Sequence, residues 1–246
     1  MGNDRGAVEV VTPNQSHVRY TPEVYDFYTS HYVSAFDDIL AQRVREEAFT
    51  RMPSATLLDI GTGTARFLVH LARFPDLTDL RLVGTDVEPD MIAQALKTVA
   101  REGFSERIEL LVDDAQQMKF PSEFADIIVT RSTLHHWTDR PGALREIFRV
   151  LKPSGIAMIH DVRRDPAPEA LAEFNRLREE ANEKLKLMGI ENPRLGRSVT
   201  EEKFTVPEVK EFLREAGILD YAQIYRPERG LMALGFAVEI YKPSTA

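Results

Sequence analysis

The amino-acid sequence predicts an α/β fold: a doubly wound, mainly parallel sheet covered by helices on both faces. Three observations lead there. Short apolar runs of strand length alternate with stretches of helical periodicity from residue 56 to residue 160, the first run ends in a glycine-rich turn, and the last two runs are spaced as a hairpin.

The elements follow in order. Residues 1–16 are polar and contain Gly, Pro and Asn, the composition of a frayed terminus. From 21 to 51 the pattern is helical: Thr21 suits an N-cap, Pro22 the first helical position, and Phe36, Ile39, Leu40, Val44 and Ala48 share one face. Thr56–Ile60 is the first strand, followed by a helix over 66–74 and a strand over 80–85. Pro89 opens a helix bearing Met91, Ile92, Ala95, Leu96 and Val99, and Ile108–Val112 and 125–130 are further strands. Pro141 opens the next helix, and 156–160 is a fifth strand. After Asp161 the rhythm breaks. Residues 163–204 hold Pro166, Pro168, an amphipathic helix with Leu171, Phe174, Leu177, Ala181 and Leu185 on one face, and a polar loop, which is more chain than a connector needs. A helix over 207–216, stopped by Gly217, restores the pattern. Strands over 219–225 and 231–241, turning at Pro227 and Gly230, then give an antiparallel hairpin.

Composition narrows the function. With 39 acidic and 31 basic residues among 246, the net charge of -8 offers no broad attraction to a phosphate backbone, so nucleic acid is not the expected partner. There is no cysteine, which removes disulfides, thiolate metal sites and cysteine nucleophiles from consideration. No signal peptide is read at the N-terminus and no run approaches a membrane span, so a cytoplasmic location is expected.

The segment Asp59-Ile60-Gly61-Thr62-Gly63-Thr64-Ala65 carries the main chemical signal. Gly61 and Gly63 let the chain turn sharply after a strand and let a ligand approach the backbone. Asp86, ending the next strand, can accept both hydroxyls of a ribose, so the two features place a nucleoside across adjacent strand ends. A nicotinamide dinucleotide would use the same geometry, but its fingerprint needs Gly or Ala where this chain has Arg66. Asp59, two residues before the first glycine, would repel a pyrophosphate and suit an ammonium group. The loop therefore favours S-adenosylmethionine over NAD.

The same segment resembles motif I of the class I S-adenosylmethionine-dependent methyltransferases, D-x-G-x-G-x-G, with Ala65 in place of the third glycine. Asp86 matches the family's ribose-binding acid. Asp113-Asp114-Ala115 resembles its "GDA" motif, in which the Asp faces the adenine amine; Thr130 to Trp137 is similar to the segment after strand four, with its "LHH" ending; and Val150-Leu151-Lys152-Pro153-Ser154-Gly155 resembles "VLKPGG". Within the family the chain looks most like the small-molecule branch that includes the ubiquinone and menaquinone biosynthesis enzymes. The resemblance implies a Rossmann-like, mostly parallel seven-stranded sheet with a final antiparallel strand. N-terminal helices and a helical insertion after strand five are added to it. It also implies cofactor contacts from Asp59, Gly61, Gly63, Asp86, Asp114, Ala115 and Arg131, the last near the methionine end. Residues 1–51 then form an N-terminal helical segment that is part of a lid, and 52–246 the S-adenosylmethionine-binding domain, with a lid-like insertion at about 163–204.

Three histidines fall at the ligand-bearing edge: His135 and His136 after strand four, and His160 at the end of strand five. A neutral imidazole there can take a proton from a hydroxyl or carbon acid, and His135 is the candidate general base or substrate anchor; packing of the loop by His136 and Trp137 is the alternative. No metal site is expected, because no His-x3-His spacing occurs. Tyr20, Tyr25, Tyr28 and Tyr32 read as packing for the first helices or as a lid whose aromatic faces attract a sulfonium. The expected activity is methyl transfer from S-adenosylmethionine, with S-adenosylhomocysteine as product, to an O, N or C atom of a small molecule. The rivals are a non-catalytic S-adenosylmethionine-binding partner of another enzyme and an NAD-dependent oxidoreductase. A nucleic-acid or protein amide methyltransferase would show [DN]-P-P-[YF] where this chain has Thr130-Arg131-Ser132-Thr133.

Overall fold

The computed structural model describes residues 21–32, 34–51 and 54–244; the expectations for residues 1–20, Tyr20 among them, and for the side chain of Tyr32 lie outside the described residues. The helical stretch predicted from 21 to 51 is two helices, α1 (Pro22–Tyr32) and α2 (Ser34–Phe49). The alternating core follows: β1 (Thr56–Ile60), α3 (Arg66–Ala72), β2 (Arg81–Asp86), α4 (Pro89–Arg101), β3 (Ile108–Val112), β4 (Ala125–Arg131), α5 (Arg140–Val150) and β5 (Leu151–Val162). After it come α6 (Pro168–Leu187), α7 (Val206–Glu215), β6 (Ala222–Tyr225) and β7 (Gly235–Tyr241).

Local chemistry sets the helix starts. Proline occupies the first turn of α4, α5, α6 and α7, where its missing N–H costs nothing. Asp139 accepts from the Gly142 N–H at 2.8 Å to cap α5. At α7 the backbone N–H of Thr205 donates to Glu208 at 2.8 Å in a reciprocal capping box.

The seven strands form one sheet in the order β3-β2-β1-β4-β5-β7-β6. The pairs among β1 to β5 are parallel, and β7 runs antiparallel to both β5 and β6. The last strand in sequence thus inserts between β5 and β6 rather than closing the edge. β1 is buried along its whole length, as a central parallel strand must be. One face packs under α2, α3 and α4 through Val44, Phe67, Leu68 and Val99; the other packs under α5 and α7 through Leu144, Ile147, Val209 and Leu213.

Two predicted strands are shorter than their apolar runs. Residues 219–221 and 231–234 are 3-10 turns. Ala233 and Leu234 in the second turn are buried against Ala170 and Phe174 of α6, so their apolarity reflects packing under the insertion. β1 and β4 are neighbours from which the chain winds in opposite directions across the sheet. The crevice at their carboxyl ends is the switch point where ligands of such sheets bind.

Candidate functional site

The turn after β1 is built for close approach. Gly61 has φ +70°, and a Cβ there would lie 2.2 Å from the Thr133 methyl; Gly63 has φ +56°, and a Cβ there would lie 2.7 Å from the Tyr25 ring. The Gly63 N–H donates to Asp86 at 2.9 Å and the Thr62 N–H to the Thr85 carbonyl at 2.8 Å, tying the loop to the end of β2. The second carboxylate oxygen of Asp86 accepts from the Glu88 N–H at 3.0 Å. Ala65 has φ +61°, the left-handed conformation that explains why a glycine suits this position.

Asp59, one residue before the end of β1, is 1% exposed. Its Oδ2 accepts from the Thr62 hydroxyl at 2.8 Å, while its Oδ1 is buried with no hydrogen-bond partner. Burial pushes its carboxyl up to about 6, against the pull of Arg131 and the Thr62 bond. Arg131, at the end of β4, lies across the switch crevice. Its guanidinium pairs with Asp37 of α2 and stacks 4.4 Å from the centre of the Phe67 ring, leaving Nε buried without a partner. Tyr25 of α1 sits within electrostatic reach of Arg131, Asp37, Asp59 and Asp86, and burial foremost pushes its hydroxyl up to about 12.

The site thus brings together Asp59, Gly61, Gly63, Asp86 and Arg131, and adds Tyr25 and Asp37, for which the sequence offered a tyrosine repeat and no signal respectively. Asp114 and Ala115 lie beyond the end of β3. A cavity of about 570 Å³ is lined there by Val87, Val112, Asp113, Asp114, Met118 and Lys119 among others. Asp114 accepts from the Gln116 N–H at 2.9 Å; the neighbouring Asp113 is more buried, and its Oδ1 makes no hydrogen bond, with Lys119 Nζ 3.8 Å away. Ala115 is buried beside Met118.

His135 lies elsewhere in character. It is 4% exposed, its Nδ1 is 2.8 Å from Asp161 Oδ2, and its Nε2 is 2.5 Å from the Nζ of Lys203. Burial lowers the imidazole's affinity for a proton, so the geometry is that of a neutral ring donating to Asp161 and accepting from Lys203. Lys203 comes from the end of the insertion, and burial pulls its ammonium down to about 8. His160 is held down to about 4, by burial first and then by the Arg131 charge.

α1 contacts both the Gly loop and α6 of the insertion. Asp26 of α1 accepts from the Thr64 hydroxyl and from Arg66 Nε at 3.1 Å. Tyr28 donates to Asn182 of α6 and accepts from Asn192 at 3.0 Å, above a shared apolar cluster of Val24, Tyr28, Ala181 and Leu185.

Residues 58–159 match the family model described as "Methyltransferase domain". Over this segment the chain is similar to methyltransferase domains. Curated relatives of the domain include the demethylmenaquinone methyltransferase of Roseiflexus castenholzii, 36% identical over 111 residues covering 45% of this chain and 44% of the relative. The sterol 24-C-methyltransferase of Aspergillus fumigatus is 32% identical over 105 residues, covering 43% and 27%. The chain therefore spans well under two thirds of the curated relatives it matches. A crystal structure from Methanococcus maripaludis, assigned as an S-adenosyl-L-methionine-dependent methyltransferase, shares the fold over 92% of this chain and 93% of its own with a TM-score of 0.66 at 20% identity. The match begins at Leu58 and ends at Ile159, so α1, α2 and the insertion fall outside it.

Proposed function

We propose that the chain is an S-adenosylmethionine-dependent methyltransferase that moves a methyl group to an O, N or C atom of a small molecule. The observation that carries this reading is the pair of buried, unpartnered atoms flanking the crevice: Asp59 Oδ1, an acceptor, and Arg131 Nε, a donor. Leaving such groups unmet costs roughly 1–3 kcal/mol each, and an α-amino acid end, with its ammonium and carboxylate, would answer both. A dinucleotide has no such end.

The residues fit the cofactor. Asp59 and Arg131 would hold the amino-acid end, Gly61 and Gly63 would let it lie against the backbone, Asp86 would take the ribose hydroxyls, and Asp113 or Asp114 with Ala115 would face the adenine. When bound, the cofactor supplies an electrophilic methyl group on a sulfonium. The protein's part is alignment and the exclusion of water, to which Tyr25 and the α1–α6 cap contribute. As a general base, His135 would have to act through Nε2, which accepts from Lys203, while its Nδ1 on Asp161 orders the end of β5.

A small acceptor is supported by the names of the curated relatives, which act on a sterol and on demethylmenaquinone. It is also supported by the net charge of -8, which disfavours nucleic acid. Among the described residues no helix is long and apolar enough to cross a membrane. A cytoplasmic location belongs to the same proposal, on the strength of a cysteine-free chain. The test is calorimetric titration with S-adenosylmethionine and with NAD, followed by incubation with methyl-labelled cofactor and a small-molecule extract. Binding of S-adenosylmethionine alone and label in a small product are expected; binding of NAD alone overturns the reading.

A further inference from the structure

The charges at the amino-acid end of the crevice do not balance. Two carboxylates, Asp37 and Asp59, face the guanidinium of Arg131, and Tyr25 lies within electrostatic reach of all three and of Asp86. Asp37 is the one that belongs to neither the Gly loop nor the strand ends: it projects from the first turn of α2, is 7% exposed, and pairs directly with Arg131. A buried carboxylate on the guanidinium that would receive a ligand carboxylate needs a physical reason, because it spends the charge the ligand would use.

The reason lies in the count of charges once a ligand is seated. An α-amino acid end adds one positive and one negative group, which cancel. Asp59 then faces the ammonium, and Arg131 is shared between Asp37 and the ligand carboxylate, so one negative charge in excess stays beside the crevice. A sulfonium offsets that excess; the thioether left after methyl transfer carries no charge and does not.

We propose that Asp37 is a specificity residue of the cofactor site, whose charge, held on Arg131, biases binding toward the sulfonium form of the ligand and against the neutral thioether product. This rests on the reading of the site as one for S-adenosylmethionine. Its consequence is that methyl transfer itself weakens the hold on the spent cofactor. The change at sulfur is felt through a residue of α2, outside the segment that the methyltransferase domain model covers.

The experiment is calorimetric titration of the full chain with S-adenosylmethionine and S-adenosylhomocysteine, for wild type, Asp37→Asn and Asp37→Glu, with melting temperatures to check folding. In Asp37→Asn the ratio of the two affinities is expected to move toward S-adenosylhomocysteine by about tenfold, the size of one partly screened charge contact at several ångströms, while Asp37→Glu keeps the wild-type ratio. Should Asp37→Asn not fold, Asp37→Ser, which removes the same charge with less bulk, is read in the same way. If charge removal changes both affinities by the same factor, Asp37 only positions Arg131 and the proposal is overturned. Wild-type protein that binds neither ligand overturns the cofactor reading itself, an outcome distinct from the loss of discrimination.

Discussion

The Nζ atom of Lys203 lies 2.5 Å from Nε2 of His135, whose Nδ1 is 2.8 Å from Asp161, so a residue of the insertion completes a buried chain that starts at the end of β5. Against the upward push of burial, the charges of His135 and Lys203 hold the Asp161 carboxyl well below its usual range. A carboxylate depressed in the folded state contributes stability that is present above its ordinary value near 4 and is lost as the pH falls. Asp161→Asn is therefore expected to cost about 3 kcal/mol near neutral pH, because it strands Lys203 without its counter-charge. The gap to wild type should close as the pH drops below about 4. Urea denaturation across pH checks this; a gap that stays constant into acid would show that the loss is one of packing.

Asp59 shifts the other way, and the sign matters for binding. Its folded-state carboxyl is raised to about 6, so it gains a proton as the pH falls through 6. An ammonium ligand requires the ionised form, so affinity for S-adenosylmethionine should fall by up to about tenfold per pH unit below 6 and level off above it. Calorimetry from pH 5 to 8 reads the slope, and Asp59→Asn should abolish it along with most of the affinity. A flat profile in the wild type would mean that Asp59 does not face the ammonium.

The sheet and the Gly loop were legible in the sequence because each depends on local pattern. The short run from Thr56 to Ile60, with Leu57, Leu58 and Ile60, reads as a buried strand, and Gly61 and Gly63 mark a turn in which a Cβ would clash. Asp37 was not legible. It sits on a helix whose predicted face is buried at Leu40, Val44 and Ala48 but exposed at Ile39, and nothing in a helical period says that one acidic neighbour reaches a guanidinium 94 residues away. The partner of His135 was equally hidden: Lys203 lies in a polar stretch of the insertion that reads as solvated surface, and only the return of that segment to the sheet buries it. The strand lengths near the C-terminus misled for a related reason, since the apolar residues 231–234 pack under α6 in a 3-10 turn.

Ala65 offers a test of backbone strain in the loop. At φ +61° an alanine carries roughly 1–2 kcal/mol of left-handed strain. Replacing it with glycine relieves this but gives up a fully buried methyl worth about 0.8 kcal/mol and adds about 0.7 kcal/mol of unfolded-state entropy. The terms nearly cancel, so Ala65→Gly should lie within about 1 kcal/mol of wild type. Ala65→Val, β-branched in the same conformation and with no room, should cost more than about 2 kcal/mol. Chemical denaturation of the two variants decides; a valine tolerated as well as glycine would mean that the turn relaxes out of the left-handed region.

The cap over the loop yields the last prediction. α1 holds the Gly loop through Asp26, which accepts from Thr64 and Arg66, and holds α6 through Tyr28, Asn182 and Asn192. If these contacts make one rigid cap, loosening either end must loosen both helices. Asn182→Ala removes the acceptor that Tyr28 and Asn192 share, at a cost of about 1 kcal/mol per lost bond, yet touches nothing in the Gly loop. Amide hydrogen exchange should then speed up in α1 as well as α6, with the β1 and β4 amides unchanged. Asp26→Ala, cut at the opposite end, should give the same pattern. Acceleration confined to the mutated helix in each case would mean that α1 and α6 open independently, and access to the crevice would then be controlled by α1 alone, since it is Tyr25 that lies on Gly63.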